Sequence, residues 1–65
     1  MNDELQDSVF YQYKNELEIA KKSNSVLKIT EKYLQLGDFF QQTEVYTEAI
    51  DQYTSALKMA EQQHL

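Results

Sequence analysis

The side chains able to do chemistry are few, and their spacing is uninformative. His64 is the single histidine, and it stands next to the last residue, where no neighbours are fixed to make it a general base or a metal ligand. Carboxylate pairs such as Asp3 with Asp7, or Glu16 with Glu18, could in principle share acid and base roles. That chemistry requires a pocket that raises one pKa above the other, and these pairs fall on polar helix faces. Cysteine is absent, which removes thiol nucleophiles, thiolate metal sites and disulfides together. The sequence holds no glycine-rich phosphate loop and no nucleophile motif, so a non-enzymatic chain with no cofactor and no metal is expected.

The elements that would have to position any site follow from composition and period. With no proline and one glycine, the chain has too little turn punctuation for a sheet of several strands, and an all-α fold is expected. In residues 3–22 the apolar stripe Leu5, Val9, Phe10, Tyr13, Leu17 and Ala20 advances by threes and fours, as one face of a helix does. Ser23, Asn24 and Ser25 interrupt it, and Ser25 is the natural cap for a second helix. That helix, residues 26–42, carries Val26, Ile29, Tyr33, Leu36 and Phe40 on one stripe. A third is expected over residues 47–62, with Thr47 as its cap, Glu48 at the positive end of its dipole, and an apolar face of Ala49, Ile50, Tyr53, Ala56, Leu57 and Ala60. The expected architecture is a single small domain of three antiparallel helices over residues 1–65.

Charge and length narrow the partners. Eleven acidic against six basic residues give a net charge of −5, without the concentrated basic face that phosphate neutralisation needs, so nucleic acid is not an expected partner. The first residues are polar and acidic, unlike a signal peptide, and no apolar run approaches the roughly 20 residues of a membrane span. An intracellular, cytoplasmic protein with no membrane partner is expected. A chain of 65 residues buries only about 60% of its unfolded surface, so packing or assembly must supply its stability.

Two patterns sharpen this picture. Gln12, Tyr13, Leu17 and Ala20 recur forty residues later as Gln52, Tyr53, Leu57 and Ala60, which makes the first helix resemble the second half of a repeat. Tyr33, Leu36, Gly37 and Phe40, followed by Ala49, Tyr53 and Ala56, form a run of large residues around a glycine and then small residues around an aromatic. Over residues 30–63 this spacing resembles the tetratricopeptide repeat family, with Tyr46 at the aromatic position that opens the second helix of the hairpin. The resemblance implies one complete helical hairpin preceded by a half-repeat helix. Gly37 would be the close-contact position, where a bulky residue overpacks. Two residues depart from the family pattern: Glu44 replaces the usual turn glycine, and Glu61 the usual closing proline.

The resemblance also implies a function, a scaffold or adaptor that binds a peptide or helix of a partner protein. Its concave face would comprise Glu31, Leu34, Asp38, Gln41 and Gln42. Leu34 and Asp38 stand where chaperone-binding relatives hold a partner's terminal carboxylate with lysine and asparagine, so that recognition mode is not expected here. Ile50, Leu57 and Met59 would lack the neighbouring repeat that normally covers them, and they suggest association with a second copy or another protein. Phe39 either covers the first helix or belongs to that association surface, the former being preferred; Tyr11 is expected as a half-buried edge residue. A self-assembling homodimer and a chaperone-like regulator of an assembly subunit are the alternative functions.

Overall fold

The computed structural model describes residues 3–62, with side chains from residue 7 onward. The expectations for Leu5, for Asp3 and for His64 lie outside the described side chains. Three helices, α1 (Asp3–Ser23), α2 (Val26–Gln42) and α3 (Tyr46–Gln62), pack antiparallel in chain order. The two outer helices each rest on α2, and among the described residues no Cα of one comes within 8 Å of a Cα of the other.

The seam between α1 and α2 uses the two predicted stripes. Leu17, Ala20, Ile29 and Leu36 are buried together, with Phe10, Tyr13, Tyr33, Phe40 and Met59 partly buried around them. Phe39 takes its preferred role and covers the first helix, its ring 6.1 Å from Phe10 and edge-on to Tyr13 at 6.3 Å. Phe40 completes the aromatic group at 5.7 Å from Phe10. Beside it, the Lys32 ammonium donates to Glu16 at 3.0 Å, and Gln12 donates to the other carboxylate oxygen at 3.2 Å. These two bonds, that from Lys32 foremost, hold the Glu16 carboxyl below its ordinary pKa.

The seam between α2 and α3 is built on small residues. Gly37, Ala49 and Ala56 are buried, the two alanines seven residues apart on one face of α3 with Tyr53 between them. The Tyr53 ring lies where a Gly37 side chain would begin: a Cβ at Gly37 would sit 2.5 Å from the nearest ring carbon. The ring is also anchored at its far end, because its hydroxyl donates to Asp38 Oδ1 at 2.5 Å.

Both connections put one residue in the left-handed backbone region. After α1 that residue is Asn24 (φ 58°), a type that tolerates it. The Ser23 hydroxyl closes the turn, donating to the Ala20 carbonyl at 2.6 Å and accepting from the Ser25 amide at 3.3 Å. Ser25 caps α2 as expected, its hydroxyl accepting from the Lys28 amide. After α2 the left-handed residue is Glu44 (φ 63°), in the position where the family pattern has glycine. The Glu44 amide donates to Gln41 and the Val45 amide to Phe40, at 3.1 and 2.8 Å, which satisfies two carbonyls at the end of α2.

The third helix starts earlier than the sequence suggests, and Thr47 is not its cap. Because the Val45 amide is pinned back onto Phe40, the chain re-enters helix at Tyr46, and the Val45 carbonyl accepts the first helical bond from Ala49 at 3.0 Å. Thr47 therefore lies inside the first turn, while Glu48 stays in that turn as predicted.

Two substitutions test these contacts. Gly37→Ala gains about 1 kcal/mol of helix propensity yet should destabilise the chain by about 1 kcal/mol net, because the added methyl displaces the tyrosine ring. In a Tyr53→Ala background the same change should become stabilising; paired urea melts read the sign, and an unchanged sign refutes the contact. Glu44→Gly should raise stability by up to about 1 kcal/mol by relieving the left-handed residue, and thermal melts showing no gain would contradict that account.

Candidate interaction surface

The five residues of the expected concave face are all on α2, and the structure divides them. Leu34 is 43% exposed, and Glu31 is exposed near it. Asp38 and Gln41 are drawn toward α3 by the Tyr53 hydroxyl, which lies 2.5 Å from the Asp38 carboxylate and 2.8 Å from the Gln41 amide oxygen. A phenol has one proton, and the carboxylate, the stronger acceptor, takes it. Gln41 completes the phenolic oxygen when its amide is turned so that the NH2 group donates. Asp38 and Gln42 also border a hollow of about 210 Å³ against Val9, Tyr13 and Phe39 on the α1 side.

The expected association surface is divided as well. Ile50 and Leu57 are exposed at 63% and 60%. Tyr46, exposed at 58%, precedes Ile50 by one helical turn and extends the row. Met59 does not belong to that row: it is partly buried and packs against the core of Leu17, Ala20, Ile29 and Leu36. Phe39 likewise packs inward, as described above, and Tyr11 is more open than a half-buried edge residue, at 64%.

Sequence reasoning overlooked Leu27 and Ile19, both large, apolar and exposed. The signal was available for Leu27, which sits off the buried stripe and seven residues before Leu34, on the same side of α2. The internal match is also informative in three dimensions. Leu17 and Ala20 are buried under α2, whereas their counterparts Leu57 and Ala60 on α3 are exposed. An apolar pattern that α2 covers on α1 is thus left open on α3.

Among the described residues no group of three or more His, Asp or Glu side chains is arranged to hold a metal, and no helix is long and apolar enough to cross a membrane. The clearest electrostatic perturbation is structural. The bond to Asp38 raises the Tyr53 pKa, with partial desolvation and the carboxylate charge adding to it. A native phenol that keeps its proton longer than the unfolded chain does stabilises fully below the unfolded value of about 10. That contribution is lost as pH rises through the higher folded value. Stability of the parent chain should accordingly fall relative to Tyr53→Phe between pH 9 and 11 or so; parallel stability curves across that window would contradict the coupling.

Compared with models of protein families, with curated proteins and with solved structures, the chain matches none.

Proposed function

We propose that the chain is a non-enzymatic protein–protein interaction module, a tetratricopeptide-like hairpin with an additional N-terminal helix, that binds a peptide or helix of a partner protein. The observation that carries this reading is the open apolar row Tyr46, Ile50 and Leu57 on α3, with Leu34 exposed on the adjacent helix. Rows of this kind on small chains mark contact surfaces. The close approach at Gly37 and the buried Ala49 and Ala56 support the hairpin assignment.

A second copy of the chain is the alternative occupant, because the row on α3 runs along about three turns and can face its own image across a two-fold axis.

Ile50→Glu combined with Leu57→Glu should keep the helical content, since exposed substitutions typically change stability by about 0.5 kcal/mol or less, and should abolish partner capture in pull-downs. An identical captured set would end this reading. Sedimentation of the purified chain distinguishes the two occupants: a dimer that the double substitution dissolves identifies the second copy.

A further inference from the structure

The face opposite Leu34 holds a second feature. Between α1 and α3, and floored by α2, runs a trough of about 440 Å³. Its floor is apolar, formed by Tyr33, Leu36 and Phe40 with Phe10 and Leu17 of α1. On the helical period these α2 residues point away from Glu31, Leu34 and Asp38, so the trough is separate from the surface discussed above.

Its two walls differ in charge. On the α1 side Lys14 and Lys21 hold their ammonium groups 5.7 and 5.9 Å from the Phe10 and Tyr33 ring centroids. Glu18 is tied to Lys21 at 3.4 Å, and among the described residues Lys14 forms no ion pair. The α3 wall presents Glu48, Gln52 and Ser55, at one-turn intervals on one face. Among the described residues Gln52 Oε1 is buried with no hydrogen-bond partner, a costly state for an acceptor.

We propose that this trough receives an amphipathic helix of a partner protein, its apolar stripe on the aromatic floor, carboxylates along the flank facing α1, and lysine or arginine along the flank facing α3. The geometry favours a helix. α1 and α3 run parallel to each other and antiparallel to α2, so the empty place above α2 is the fourth position of an antiparallel bundle. The floor from Tyr33 to Phe40 spans two turns, about 10 Å at the helical rise. Charge decides the flanks, and a basic side chain beside α3 would pair with the exposed Glu48.

The test uses a fluorescein-labelled peptide of about 18 residues with a leucine stripe, glutamates on one flank and lysines on the other, titrated against the whole chain by fluorescence anisotropy. Saturable binding is expected, weakened about tenfold by Lys14→Glu with Lys21→Glu and restored to that variant by a peptide with lysines on both flanks. The proposal is overturned by any of three results: no saturation, equal binding by the lysine variant, or loss of binding in Ile50→Glu with Leu57→Glu instead. A chain that dimerises through the trough, shown by a dimer that the lysine variant dissolves, would equally replace the partner helix with a second copy.

Discussion

The arrangement depends on one absence, the missing side chain at Gly37. Because nothing projects there, the Tyr53 ring occupies the space beside Gly37, and Ala49 and Ala56 on the same face of α3 are buried beside it. Small residues on one helix and a glycine on the other let backbones approach, and the aromatic fills what a pair of alanines leaves open. The ring is then located by its hydroxyl on Asp38, so a single tyrosine fixes both the separation and the register of α2 and α3. The cost of a mid-helix glycine, about 1 kcal/mol relative to alanine, is offset by that contact.

The two turns reach similar ends through different chemistry. At Asn24 the backbone conformation suits the residue, and the hydroxyl of Ser23 relays between an amide and a carbonyl that a direct bond would otherwise join. At Glu44 the backbone bonds are complete, and the residue type is the compromise. Phe39 and Phe40, just upstream, hold α1 by their rings while their carbonyls receive the Thr43 hydroxyl, so the end of α2 is fixed both by packing and by bonding.

Much of the fold was legible because helices advertise themselves through period. The stripes ending at Ala20 and Phe40 are the ones buried at the first seam, and Ser25 caps where its side chain chemistry says it should. Thr47 misled because the start of α3 is set by bonds from the turn back to Phe40, which no local signal at Thr47 records. Met59 misled for a related reason: α3 carries apolar residues around more than one side, and period alone does not say which side meets the core. The surface was harder still. Asp38 and Tyr53 are fifteen residues apart, and their bond, which ties an expected binding residue to α3, exists only once Gly37 has let the helices meet. Leu57 and Leu17 occupy matching places in the two similar sequence segments, yet Leu17 is covered by α2 and Leu57 is open, because among the described residues no helix lies over Leu57.

Among the described residues α1 and α3 have no close backbone approach and each packs on α2, while Met59 of α3 reaches the core that α1 and α2 form. Fraying of α3 therefore exposes α2 at Gly37 and also uncovers the core of the first seam at Met59, which couples the two seams. Most of the packing between the ends of the chain still runs through α2, whose buried Ile29 and Leu36 belong to the first seam and whose Gly37 belongs to the second. Leu36 and Gly37 are adjacent in sequence. The two seams therefore meet at neighbouring residues of one helical turn, and a change of side chain at either position bears on both.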